Sequence, residues 1–240
     1  MANLTSEGIV VRCADWREND RMLTILTPAY GRIDALARGC KTTSSPLLSC
    51  SEPFSFGEFV LYRGKERSTV VSCELRDNFY PLREDYDRLR YASFMLQLAG
   101  TQAQPGQRSA ELFILLLRSL KRVCYMDLDL RAVTAAFLLM DAALSGYRPE
   151  LSHCVRCGRE ADENSIRLFD IEEGGLCCAD CMNAMMPAYP VSPAEIRWMK
   201  DVLKVGIEKT DRPAQDAPIH LLLHYIEDKL DVRLPSAKRI

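Results

Sequence analysis

The sequence predicts a multi-domain α+β protein: a small β-barrel, a helical bundle, and a cysteine-rich insert within the bundle. Three observations carry that prediction. Residues 6–76 read as five short segments that are β-branched or partly alternating and bounded by turn residues. From residue 81 the apolar spacing becomes helical. Residues 154–181 then carry C-x-x-C, an intervening stretch, and a second C-x-x-C.

The strand segments are EGIVVRCAD, NDRMLTILT, YGRIDALAR, FSFGEFVLY and STVVSCELR. Pro28 and Gly31 mark the turn between the second and third. Five strands in about seventy residues match the OB-fold, a five-stranded barrel of that size. The Ser/Thr-rich stretch GCKTTSSPLLSCSEP before the fourth strand reads as a mobile loop or a carrier of a short helix. PLREDYDRLRYASFMLQLAG is the first helix, with Leu82, Tyr86, Leu89 and Leu96 at helical spacing. RSAELFILLLRSLKRV is the second, apolar nearly all round and so expected to be buried. DLRAVTAAFLLMDAALSGY is the third, stopped by Gly146. In SPAEIRWMKDVLK, Ser192 as N-cap, Pro193 at the first helical position and Glu195 form a capping box. APIHLLLHYIEDKLDVRL is the last helix. The expected domains are residues 1–80 for the OB-like barrel, 81–150 plus 190–240 for the helices, and 151–189 for the insert.

Composition narrows the class. Apolar residues at 48% and charged residues at 27% fit a soluble globular chain. No apolar run reaches ~18 residues, so no membrane-spanning helix is expected. The opening MANLTSEGIVVRCADW does not read as a signal peptide. The ten cysteines are therefore expected as reduced thiols plus a metal site in the cytoplasm, not as a disulfide framework. The net charge of −2 gives no global attraction to nucleic acid. The N-terminal third is slightly more basic than the remainder, which fits a nucleic-acid face there without requiring one.

The cysteine spacing points to zinc. Thiolates are soft ligands that a zinc ion gathers into a tetrahedron, and two residues between a pair let one tight turn aim both sulfurs at a point. The expected ligands are Cys154, Cys157, Cys178 and Cys181, with Gly158 and Gly174-Gly175 supplying turns and IRLFD one strand of a hairpin. Cys177 could compete, but only Cys178 gives the second pair its spacing. A site closed by four protein ligands leaves no position for water, so one structural zinc is favoured over a redox dithiol or a catalytic zinc. The deaminase pattern also lacks its H-x-E triplet. His220 and His224 flank three leucines where a metalloprotease motif needs a glutamate, and they read as helix-face histidines. His153 could support a ligand from outside the cluster.

A basic stretch, YGRIDALARGCK, places Arg32, Arg38 and Lys41 on or just after the third strand. Residues 32 and 38 differ by an even number, so an extended strand turns them to one face. Arg63, Lys65 and Arg67 form a second cluster in the YRGKER turn. OB barrels bind nucleic acid on one face and its bordering loops, with cations on phosphates and aromatics on bases. Trp16, Tyr30 and Tyr62 lie near enough in sequence to serve as stacking platforms. The plainer alternative is a solvated strand face and turn.

These residues carry a resemblance across the whole chain to the RecO family of bacterial recombination mediators and DNA repair proteins. EGIVVRCADWRENDRMLTILTPAYGRIDALARGCK is similar to that family's opening, with its E-x-D-R step and T-P-x-x-G turn. SHCVRCG and FDIEEGGLCCADC resemble its zinc insert, and HLLLHYIEDKLDVRLPS its closing helix. The resemblance implies a non-enzymatic protein of the RecF pathway, cytoplasmic and nucleoid-associated. It implies binding to single- and double-stranded DNA and annealing of complementary strands. With RecR, such a protein helps load RecA onto DNA coated by single-stranded DNA-binding protein (SSB), and it binds the acidic SSB tail through its helices. The DNA face carried over by position comprises Arg32, Arg38 and Lys41; Arg63, Lys65 and Arg67 extend it by charge alone. Arg118, Lys121, Arg122 and Arg131 flank buried-looking helices and are candidates for the SSB tail, although cations near a helix C-terminus also favour its dipole.

Two other classes compete. One is a zinc-bearing OB-fold adaptor or RNA-binding protein without annealing activity. The other is an enzyme that uses the cysteines, against which stand the missing Ser/His/Asp order, P-loop and G-x-G-x-x-G.

Overall fold

The computed structural model describes residues 3–64, 67–160, 166–181, 188–209, 214–233 and 240. The chain divides into two compact units, Met1–Tyr125 and Met126–Ile240. That division falls inside the span 81–150 read as part of one helical domain.

In the first unit, β1 (Asn3–Asp15), β2 (Arg21–Thr27), β3 (Gly31–Ala37), β4 (Phe56–Arg63) and β5 (Ser68–Asp77) close into a barrel in the order β1-β2-β3-β5-β4. The length of β1 makes closure possible. Its first half pairs antiparallel with β4 and its second half with β2, exchanging partners at Ile9. A short parallel pairing of Ala35 and Leu36 with Ser68 and Thr69 closes the other side. Alternation sends Leu23 and Ile25, Ile33 and Ala35, and Phe59 and Leu61 inward, where they are buried with Val10 and Val70. Each fully buried Leu, Ile or Phe contributes about 1.5–3 kcal/mol relative to exposure.

The stretch after β3 forms a chain of turns, not a helix. Its hydrogen bonds link residues three apart, as in Ser45 N–H to Thr42 and Leu48 N–H to Ser45. Leu47, Cys50 and Phe54 are buried within it, so apolar anchors hold the turns against the barrel.

α1 (Tyr86–Gln102) is capped by Asp85, whose carboxylate accepts the Asp87 and Arg88 N–H groups. α2 (Ala110–Tyr125) follows. The link between them lies against the β2–β3 turn, where Arg32 N–H donates to Gln104 O at 3.3 Å, Gly106 N–H to Tyr30 O at 2.9 Å, and Ser109 N–H to Pro28 O at 3.0 Å. Contrary to the expectation of full burial, α2 exposes Glu111, Ile114, Arg118, Lys121 and Tyr125. Those residues recur at three- and four-residue steps, so the helix keeps one wet stripe despite its apolar composition.

The second unit is built on α3 (Leu130–Leu144), capped by Asp129 and buried from Ala132 through Leu139. α3 packs against α4 (Pro193–Val205) and α5 (Ile219–Lys229). The capping box at Ser192 and Glu195 forms as expected. Between α3 and α4 lies a small antiparallel sheet of β6 (Ile166–Asp170), β7 (Gly175–Cys178) and β8 (Ala188–Pro190), ordered β7-β6-β8. β6 coincides with the strand read at IRLFD. β8 had no sequence signal strong enough to mark three residues. Phe169 of β6 meets Tyr225 of α5 edge to face at 5.2 Å, and the Tyr225 hydroxyl donates to Tyr147 O at 3.0 Å. Among the described residues, no helix is long and apolar enough to cross a membrane.

Candidate functional site

Among the described residues, a cysteine cluster in the second unit and a cleft on the barrel bring chemistry-bearing residues together. In the second unit, two turns each present a C-x-x-C pair. The first is closed by Gly158 N–H donating to Cys154 O at 2.9 Å and Cys154 N–H to Arg159 O at 2.8 Å. Glu150 caps the approach, accepting Ser152 N–H at 2.6 Å and His153 N–H at 3.0 Å. Those two bonds hold the Glu150 carboxyl below the usual range. The second pair leaves β7, which β6 holds in register.

The sulfurs of Cys154, Cys157, Cys178 and Cys181 lie within 4.8 Å of one another. The Cys157–Cys178 sulfur separation is 3.7 Å. A tetrahedral zinc with bonds of about 2.3 Å requires edges of about 3.8 Å, so the donor set and its spacing fit. The electrostatics fit as well. Burial opposes a charge on Cys154, yet N–H groups of Cys178, Cys157 and Arg156 bring its thiol down to about 6. The Cys178 N–H points at the Cys154 sulfur from 3.4 Å. Cys181, beside the sulfurs of Cys178 and Cys157, is pushed up to about 12. Four thiolates so close cannot all ionise without a cation, and a divalent metal would supply that charge. Cys177 is buried but stands outside this set of four. His153 faces Glu150 at 3.7 Å and is no part of the cluster. His220 and His224 are exposed on α5, with His224 beside Tyr189.

The barrel carries the second place, a cleft of about 430 Å³ lined by Trp16, Arg17, Asp20, Leu36, Arg38 and Arg67. Trp16, Arg17 and Asp20 come from the β1–β2 loop, Leu36 and Arg38 from the end of β3, and Arg67 from the β4–β5 loop. The Asp20 carboxylate accepts Gly39 N–H at 2.8 Å and so fixes the β3 exit against the first loop. Arg67 lies over the Trp16 ring at 4.9 Å, and Arg63 over the Tyr30 ring at 5.5 Å. Arg17 and Arg38 make no ion pair with a described residue.

The basic residues expected to act together are dispersed. β3 ends at Ala37, before Arg38. Six residues of extended chain cover about 20 Å, and strand twist turns equal-parity positions apart over that length. Arg32 instead lines a different groove of about 910 Å³ with Arg12, Thr24, Asp34, Arg83 and neighbours. It pairs with Asp34 at 3.7 Å. Lys41 is engaged by Asp15 at 2.8 Å, an interaction that holds the Asp15 carboxyl below its usual range. Lys65 lies outside the described residues. Arg17 escaped the sequence reading because the charged run WREND shows no period. Its partners in the cleft come from strands far along the chain.

Of the helix cations, Arg118 and Lys121 are exposed on α2 beside Ile114. Arg122 is buried at 8% exposure and does not stand at a solvent rim. Arg131 is exposed in the first turn of α3, in the other unit.

Comparison with known proteins matches nearly the whole chain. The family model described as "Recombination protein O N terminal" matches residues 1–79, and "Recombination protein O C terminal" matches residues 83–238. The chain is 40% identical over 233 residues to a DNA repair protein RecO of Alkaliphilus metalliredigens, covering 95% of this chain and 94% of that relative. It is 32% identical to a protein of the same name from Moorella thermoacetica, over 81% of this chain and 73% of the relative. A third, from Bacillus pumilus, is 29% identical over 98% of this chain and 92% of its own length.

Proposed function

The chain belongs to the RecO family, and from that premise we propose that it is a DNA repair and recombination mediator that binds DNA through its barrel. The observation that carries the proposal is the cleft where the β1–β2 and β4–β5 loops meet. Those are the loops with which OB-folds hold oligonucleotides. Here they bring Arg17, Arg67 and an exposed indole together, with Arg38 at the exit of β3 as a third arginine, against one carboxylate.

The reading assigns DNA binding to residues 1–80, with Arg38 and Arg67 in the cleft and with Arg32, Lys41, Arg63 and Lys65 as further candidate cations. It covers single and double strands. Complementary strands repel through their phosphates. A surface that neutralises both raises their local concentration, and base pairing supplies the free energy of annealing. No catalytic residue is needed, so the protein is not an enzyme in this account. With RecR it helps load RecA onto SSB-coated single strands. The helices of residues 81–150 and 190–240 take the acidic SSB tail, for which Arg118 and Lys121 beside the exposed Ile114 have the required chemistry: cations at the edge of an apolar surface. The insert of residues 151–189 holds one structural zinc through Cys154, Cys157, Cys178 and Cys181. The ion ties two turns together and leaves no open coordination position.

The test is fluorescence-based annealing of two complementary oligonucleotides. Wild type runs beside an Arg32→Ala/Arg38→Ala/Lys41→Ala variant of equal zinc content. Annealing by wild type and its loss in the variant are expected. A folded, zinc-loaded wild type that does not anneal would overturn the proposal and favour an adaptor.

A further inference from the structure

We propose that the barrel cleft receives one unstacked base on the indole of Trp16, which makes the barrel selective for single strands over duplex. This inference rests on the DNA-binding reading and adds a residue, a contact and a preference to it.

Trp16 lies in the loop between β1 and β2 and is 46% exposed, so its indole is accessible at the cleft. Its cover at present is the Arg67 guanidinium, 4.9 Å from the ring centre. Arg67 is itself exposed, and a cation–π contact in water is weaker than stacking of a base on an aromatic ring. A base therefore displaces the guanidinium at a net gain. The freed cation moves to the phosphate that accompanies the base, where it gains a stronger partner than a ring face.

The rest of the cleft suits a nucleotide. Leu36, 5% exposed, gives it one apolar lining residue. Arg17 and Arg38, which have no ion pair with a described residue, stand at the same cleft and meet the backbone. Asp20 is already engaged by Gly39 N–H and is held in place, able to accept from a base N–H group. Three cations against one carboxylate exclude an acidic protein surface less well than they exclude a cationic one. The exposed ring adds what a phosphate alone does not use. In a duplex, each base is stacked and paired, so its flat face is unavailable to Trp16, and only the phosphate contacts remain.

Intrinsic fluorescence reads the contact directly, because the other tryptophan, Trp198, is 2% exposed. The zinc-loaded full chain is titrated at low salt with an oligothymidylate, an abasic strand of equal length, and a blunt duplex. The oligothymidylate is expected to quench Trp16 and to bind about tenfold more tightly than the abasic strand. Trp16→Ala should bring its affinity to the abasic level and change duplex affinity far less, while Trp16→Phe keeps most of the stacking and controls for folding. Equal affinity for base-bearing and abasic strands without quenching would overturn the stacking inference and leave DNA binding standing. Absence of binding to all three probes would overturn the DNA-binding reading itself.

Discussion

The cysteine cluster and the barrel cleft treat their polar groups in opposite ways. In the cluster every thiol faces the other three, Glu150 caps the turn, and Arg156 bridges Asp170, a carboxylate with no exposure, at 2.7 Å. Its groups are spent on one another. In the cleft, Arg17 and Arg38 stand without ionic partners among the described residues, and Trp16 is nearly half exposed. A site whose donors are all committed shapes the chain, whereas a site with uncommitted cations is equipped to take a ligand. The same contrast separates residues within the barrel: Lys41 is committed to Asp15, and Arg32 to Asp34.

The largest expected effect breaks the cluster. Cys154→Ala or Cys178→Ala should abolish stoichiometric zinc. Metal binding in such sites contributes about 10–16 kcal/mol to folding in peptide systems, so β6 and β7 should lose hydrogen-exchange protection while β1–β5 keep theirs. Protection of β6 that survives without metal would show that the sheet does not depend on the cluster.

A second test separates scaffold from surface within the barrel. Gly31 has φ +63°, and a Cβ there would fall against the carbonyl oxygens of Gln104 and Gln107. Gly31→Ala should cost at least about 2 kcal/mol in urea unfolding. Gly39 has a similar φ of +61° but nothing within 4 Å of its Cβ position. Gly39→Ala should cost only the backbone strain, about 1–2 kcal/mol.

The smallest effect concerns commitment itself. Asp15→Asn releases Lys41 and removes one of the two carboxylates on Arg21. DNA affinity should rise on the order of twofold at low salt. The pH dependence has a fixed sign. Asp15 is depressed in the folded chain by its hydrogen bond from Lys41, so the pair's stabilisation is fully present above the ordinary aspartate range and lost as pH falls on through the lowered folded value. Wild type and Asp15→Asn should therefore converge in stability once pH falls below the lowered Asp15 value of the folded chain. A difference that persists there would assign the effect to packing.

What could be read in advance follows the range of the interactions. The clustering of Cys154, Cys157, Cys178 and Cys181 and the Ser192 capping box are set by local spacing, and both appear where the sequence placed them. The five strands were legible because alternation and turn residues are local too. The cleft was only half legible: Trp16, Arg38 and Arg67 were nominated in three separate groups, but their meeting depends on the β3–β5 pairing that brings Leu36 beside Thr69. Parity along β3 predicted one face for Arg32 and Arg38, and strand twist put them in two grooves. α2 was misjudged for a related reason, since composition hid the periodic exposure of Ile114, Arg118 and Lys121.

The most direct test of the account is the salt dependence of single-strand binding by wild type and by Arg17→Ala/Arg38→Ala/Arg67→Ala, with unchanged zinc content. Each lost phosphate contact lowers the slope of log K against log salt by about 0.7 for single strands. The account predicts a slope smaller by about 2 in the variant, with weaker binding at every low salt concentration. Equal slopes in the two proteins would place the phosphate contacts elsewhere and contradict it.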